Sequence, residues 1–268
     1  MKLKIILWSA AFLLTILSAF YQRITGPTYP YNGQVYINDS LINYSLPRSH
    51  STNSDCRIKI IVKDDDISGL IEWKRYKTVD RWTVLPMKRN GNTLSASIPV
   101  QPPAGKLTYH LKLKSRNKEF TIPAEGSVVI RFKGEVPDWI LSLHIISIFM
   151  AMLFSTRTGL EYFRQDPVYK NLTIATLVFL LLGGFIFGPI VQKYAFDAYW
   201  TGIPFGTDLT DNKTLIALTG WLVAYYKINK SEKPGNWILF AAILMFIVFL
   251  IPHSLFGSEL DYSQLNNN

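Results

Sequence analysis

The chain has 268 residues, 49% of them hydrophobic and 18% charged, with 28 Lys plus Arg against 19 Asp plus Glu for a formal charge of +9. That apolar content excludes an intrinsically disordered chain, and a single cysteine excludes a disulfide-stapled scaffold. The apolar residues cluster into long runs nearly free of charge, the signature of membrane-spanning helices.

The first run, residues 5–21, follows Lys2 and Lys4. A cleaved signal peptide competes with an anchor here. The apolar stretch exceeds the usual 7–15 residues of a signal-peptide core, and Ser18-Ala19-Phe20-Tyr21-Gln22 is a poor small-x-small cleavage site. Residues 1–21 therefore read as an uncleaved signal-anchor with its N-terminus inside. Either outcome places the next hundred-odd residues outside.

Residues 22–137 change character. Charged and β-branched residues alternate in short runs separated by turn signals, which predicts an antiparallel β-sandwich. The expected strands are 34–44, 57–62, 70–76, 82–87, 93–98, 107–115, 119–122 and 127–132, with Asn90-Gly91 at the centre of a tight hairpin turn. Trp73, the Pro102-Pro103-Ala104-Gly105 turn and Tyr109 in the alternating run that starts at Leu107 carry a family resemblance. On these residues the stretch 56–132 resembles immunoglobulin-like or fibronectin type III-like modules, which implies a fold and no activity. It departs from antibody-type domains in lacking the cysteine pair, so Cys56 reads as a small buried apolar residue.

Basic residues gather near one hairpin of this domain: Lys74, Arg75, Lys77, Arg81, Lys88 and Arg89, interleaved with Trp73, Tyr76 and Trp82. Charge mixed with aromatics suits nucleic acid, but an outward domain does not meet it, so no nucleic acid is expected. The leading reading is a solvated set of strand edges kept apart by Lys and Arg; the competing one is a surface for anionic headgroups or an acidic partner. Asp64-Asp65-Asp66 lacks the spaced ligands of a calcium loop and reads as an acidic turn.

Residues 138–258 predict a four-helix transmembrane domain with spans near 139–155, 172–191, 209–226 and 237–256, followed by an outer tail, 259–268. The third of these has only about 13 apolar residues and borrows length from Leu209 or from a snorkelling Lys227. Orientation follows from the short loops, because Lys and Arg resist translocation. Arg157, Arg164, Lys170, Lys227, Lys230 and Lys233 fall in the segments assigned inside, and only Lys193 and Lys213 in the short outer ones. Gly184 with Gly188, and Ser147, Ala151 and Ser155, mark faces for close helix packing.

His144 and His253 lie six residues from Asp138 and Glu259, so they share a depth of roughly 9 Å from the outer ends of their helices. Intramembrane ionisable groups are functional candidates. One reading has each imidazole hydrogen-bonded across helices; a second has the two ligating a b-type haem from opposite sides; a third is a divalent-metal, proton or quinone site. The loop 192–212 adds five aromatic residues, a Gly202-x-x-x-Gly206 turn with Pro204, and an Asp at a helix N-cap position. On this topology Trp200, Asp208, Asp211, Lys213, Glu259 and Asp261 gather with the two histidines at one outer mouth.

The chain has no phosphate-cradling glycine loop, no G-x-S-x-G turn and no CxxC, which removes most weight from nucleotide-driven, serine-hydrolase and c-type haem roles. The order of anchor, outward sandwich and four-helix unit resembles bacterial inner-membrane proteins of this layout, and that resemblance implies no catalytic residues. The expected function is a non-enzymatic accessory or scaffold protein of the inner membrane whose outward module binds an envelope or membrane protein. The alternative is a redox or metal-binding protein centred on His144 and His253.

Overall fold

The computed structural model describes residues 2–38, 40–116, 118–252 and 257–265. An N-terminal helix comes first, sheets occupy the middle and helices follow. The chain forms two compact units: Met1–Pro27 with Val136–Ser258, and Thr28–Glu135 with Glu259–Asn268.

The helical unit holds α1 (Lys2–Thr25), α2 (Asp138–Leu160), α3 (Tyr169–Leu181), α4 (Gly188–Phe196), α5 (Leu209–Ile228) and α6 (Pro234–Leu250). A short 3₁₀ turn, Glu161–Phe163, extends α2, and a π-helical turn, Leu182–Phe187, joins α3 to α4. Among the described residues three helices are long and apolar enough to cross a membrane: Lys2–Thr25, Asp138–Phe163 and Tyr169–Phe196. Of the other two expected spans, α6 is apolar but has 17 residues. The helix α5 carries Asp211, Lys213 and Lys227 within its 20 residues and does not meet that measure.

Packing inside this unit centres on small residues. Ser147, Ala151 and Ser155 are buried along one face of α2. A side chain at Gly159 would meet Ala242 Cβ at 2.6 Å, and one at Gly184 would meet Thr214 Cγ2 at 2.5 Å, so these glycines let α2 approach α6 and let the π turn approach α5. Trp221 is fully buried in one core with Ala217, Ala241 and Met245, and its indole N–H points at the Met245 sulfur, 3.1 Å away. Thr15 and Ser18 of α1 satisfy their hydroxyls on carbonyls of their own helix.

In the β unit the expected run 34–44 is two strands, β1 (Tyr31–Ile37) and β2 (Ser40–Leu46), paired as a hairpin. A six-stranded sheet follows the order β3 (Ser49–Ser51), β11 (Val128–Lys133), β9 (Lys106–Ser115), β5 (Ile67–Arg75) and β6 (Thr83–Pro86). In it β10 (Lys118–Ile122) pairs with the far half of β9. A three-stranded sheet is ordered β4 (Cys56–Ile61), β8 (Thr93–Ile98) and β7 (Lys88–Asn90). One pair, β3 with β11, is parallel, which corrects the purely antiparallel expectation. Ser-His-Ser has no apolar alternation to announce a strand; backbone pairing at the sheet edge makes it one.

Alternation does the rest. Cys56, Ile58 and Ile60 of β4 and Leu94 and Ile98 of β8 share one core with Ile71, Tyr109, Leu111, Leu113 and Ile130 of the larger sheet. The hairpin between β7 and β8 turns on Gly91 and Asn92 rather than on Asn90 and Gly91; only Gly91 has positive φ (+53°), so one permissive residue suffices. The segment after the helices rejoins this unit: α7 (Tyr262–Leu265) buries Tyr262, whose hydroxyl donates to the Gln101 side chain and the Lys106 carbonyl.

Candidate functional site

The histidine chosen from the sequence sits against the π turn. In the π turn the Gly188 N–H donates to Gly183 O, five residues back, and His144 Nδ1 donates to the same oxygen at 2.9 Å. The same turn needs small residues, because a side chain at Gly183 would lie 2.9 Å from the Ile148 backbone nitrogen. This bond fixes the Nδ1–H tautomer and leaves Nε2 with its lone pair. His253 lies outside the described residues. Among those described, no three His, Cys, Asp or Glu side chains come together to hold a metal ion.

The loop after α4 is built on two carboxylates. Asp197 ends α4 in the left-handed region (φ +62°), with its N–H on Lys193 O. Gly202 O then accepts from both Phe205 and Gly206, which closes the turn expected around Pro204. The Trp200 indole donates to Ile203 O and its ring stacks on Phe185. Asp211, 5% exposed, accepts through one oxygen from the backbone N–H of Thr201 (2.6 Å) and of Gly202 (3.0 Å), and from Gln192 Nε2 (3.2 Å). Asp208 caps α5 through Thr210 N–H (2.7 Å) and also receives the N–H and hydroxyl of Ser258. Lys213, buried two residues beyond Asp211, gives a hydrogen bond to Ile251 O at the C-terminal end of α6 (2.8 Å). Trp200, Asp208, Asp211 and Lys213 therefore do cluster. Their polar atoms are engaged in holding backbone, as helix ends and loops require.

Glu259 and Asp261 belong to the β unit. Glu259 bridges Lys106 (2.9 Å) and Lys77 (3.2 Å), and Asp261 accepts from the N–H and hydroxyl of Ser263. Partial burial acts to raise the Glu259 carboxyl, but the two ammonium groups outweigh it and hold it below the ordinary range.

Much of the basic set on the β unit is occupied as well. Arg75 pairs with Asp80 and lies over the Tyr262 ring. Arg89 donates to the carbonyls of Val62, Asp64 and Ile67, clamping the loop between β4 and β5. Lys74 covers the Trp82 ring, which meets His110 edge-on. Arg81 and Lys88 are exposed. The acidic triplet is a turn, with Asp64 accepting from Asp66 N–H and from Asn38. Cys56 is free and buried, and burial pushes its thiol up to about 11.

Beside this surface Glu72 accepts from His110 (2.8 Å) and Lys112 (3.0 Å). Burial acts to raise its carboxyl, yet the hydrogen bonds from Lys112 and His110 outweigh burial and the net shift is downward. A depressed carboxylate stabilises the fold above its unfolded value of about 4.3 and loses that contribution as pH falls through the folded value. Glu72→Gln is expected to flatten the acid side of the stability profile by about 1 kcal/mol or less, given its partial exposure. Urea unfolding of the full chain in detergent between pH 3 and 7 reads this; an unchanged profile contradicts it.

One cluster was not singled out in the sequence. Glu161, with 0% exposure, accepts from Arg157 Nη2 (2.5 Å), from Arg164 Nη1 (2.7 Å) and from Val168 N–H (2.8 Å). Arg157 is 3% exposed, lies over the Trp8 ring at 5.4 Å, and its Nε and Nη1 have no hydrogen-bond partner among the described residues. The signal was present as an i,i+4 Arg-to-Glu and an i,i+3 Glu-to-Arg spacing, but counting these residues only toward orientation hid it. No protein-family model matches the chain, and comparison with curated proteins gives no match.

Proposed function

We propose that the protein is an integral accessory or scaffold protein of an inner membrane, with an immunoglobulin-like sandwich on the outer side and no chemistry of its own. Three helices long and apolar enough to cross a bilayer support the membrane setting. The observation that carries the rest is the use of Asp208 and Asp211: both carboxylates accept from backbone N–H groups of the loop and helix ends. Two sheets sharing one core support the sandwich. Its partner is a membrane or envelope protein, and capture by cross-linking in native membranes is the way to identify it.

A second reading keeps one specific support. A carbonyl-bound Nδ1–H is how ligating histidines are held, with Nε2 left for a b-type haem or a divalent metal. The reduced-minus-oxidised spectrum and metal content of the purified protein separate the two. The scaffold reading expects no haem band and no stoichiometric metal; a haem spectrum abolished by His144→Ala, with the protein still in the membrane, overturns it.

A further inference from the structure

The loop between α4 and α5 folds back along the helices instead of rising from their ends. Ile203 N–H donates to Asn212 Oδ1 (2.7 Å), and Gln192 Nε2 donates to Thr201 Oγ1 (2.8 Å). Gln192 lies four residues before the end of α4 and Asn212 three residues after the start of α5, so residues 201–203 sit about 5 Å inside both helix ends. Trp200 reaches further. Its ring stacks on Phe185, eleven residues before Phe196 and about 15 Å back along the helix axis. The loop presses on α5 as it descends, since a side chain at Gly202 would lie 2.6 Å from Asp211 Cβ.

Along this descent every backbone N–H from Thr201 to Gly206 is met. Thr201 and Gly202 donate to Asp211, Ile203 to Asn212, and Phe205 and Gly206 to Gly202 O, while Pro204 has no N–H to satisfy. A loop in water can leave such groups to the solvent. Irregular backbone at membrane depth survives only where protein groups supply the acceptors. The side chains on the outside of the same loop are apolar: Tyr199 is 60% exposed, Ile203 60% and Phe205 82%, with Pro204 exposed between the last two. They continue a surface already read as facing lipid, because the membrane-length helix Tyr169–Phe196 carries exposed Val178, Ile186 and Tyr194 of its own. Charge stays at the helix end, where Lys193 pairs with Asp197.

We propose that residues 199–206 form a wedge set into the bilayer leaflet on their own side, the outer one in the orientation above, with Ile203 and Phe205 among the acyl chains and Tyr199 at the headgroups. This rests on the membrane-spanning reading of the helices. Asp211 and Asn212 make the descent possible by accepting from N–H groups that lipid cannot satisfy.

The test places a nitrobenzoxadiazole label on single cysteines of the full chain in a Cys56→Ala background, reconstituted in phosphatidylcholine nanodiscs. The discs carry a nitroxide on the acyl chain, either near the headgroup or near the chain end, and iodide serves as the aqueous quencher. Phe205→Cys and Ile203→Cys labels should lose fluorescence to the shallow nitroxide more than to the deep one, and should be spared by iodide. Val79→Cys, on the β unit, should show the reverse, and Val178→Cys, within α3, should be quenched by the lipid nitroxides. Adding Asp211→Ala should remove the lipid quenching at position 205 and admit iodide, with position 178 unchanged. Labels at 203 and 205 that behave like Val79→Cys, while Val178→Cys is quenched by lipid, overturn the wedge alone. Lipid quenching at 205 that is unaltered by Asp211→Ala overturns the role given to the captured N–H groups. A Val178→Cys label that also answers only to iodide overturns the membrane reading and the wedge together.

Discussion

Replacing Glu161 by Leu should destabilise the helical unit by about 3–5 kcal/mol, the cost of leaving a buried charge without its counter-ion. Glu161 is fully buried, and Arg157 beside it is almost as buried. Removing the carboxylate strands Arg157, releases Arg164 and leaves the Val168 N–H at the start of α3 unmet. The double variant Arg157→Met with Glu161→Leu removes both charges, so its loss should be clearly smaller than that of Glu161→Leu alone. Unfolding of the detergent-solubilised chain by increasing SDS measures both. A Glu161→Leu loss below about 1 kcal/mol would mean that water reaches the pair, contrary to the burial seen here.

Asp211→Ala should cost about 2–4 kcal/mol, because two backbone N–H groups, of Thr201 and Gly202, lose the acceptor they share. The effect should be local. Hydrogen exchange at Thr201 and Gly202 should accelerate strongly, while the amides around Trp221 in α5 keep their protection. Asp211→Asn keeps an acceptor oxygen and should cost roughly half as much, since the acceptor loses its charge but not its place. Exchange that rises equally throughout α5 and α6 would show that Asp211 supports the whole bundle rather than the loop.

The periodic parts of this chain were legible from the residues. Alternation in 107–115 and 93–98 marks strands β9 and β8 because one face is buried and the other is wet, and long apolar runs mark α1, α2 and α3. Features set by tertiary pairing were not legible. Ser49–Ser51 is a strand only because β11 offers it an edge. The π turn at Leu182–Phe187 has the same apolar composition as the helices on both sides of it, so nothing in the residues announces that Gly183 O will accept from His144 as well as from Gly188.

The site shows the same division. Asp208 and Asp211 were recognisable as a cluster with Trp200 and Lys213, because a helix start with two acidic residues is a local pattern. Which donors they take was not, because Ser258 is 50 residues from Asp208 and Thr201 is 10 from Asp211. Glu259 and Asp261 were assigned by sequence proximity to the last span, yet residues 259–265 pack with the β strands through Leu260 N–H on Ala104 O and through Tyr262. Conversely, Arg157 and Arg164 were visible as topology signals, and only packing reveals that one of them is buried with donors to spare.

The central claim, a membrane-embedded helical unit with the β unit on the outer side, is tested most directly by side-specific labelling. Val79 is fully exposed in the loop between β5 and β6, and Asp166 is exposed in the loop between α2 and α3. In a Cys56→Ala background, Val79→Cys should react with a membrane-impermeant maleimide on intact spheroplasts, and Asp166→Cys only after lysis. Labelling of Asp166→Cys on intact spheroplasts, with Val79→Cys protected until lysis, would contradict the account.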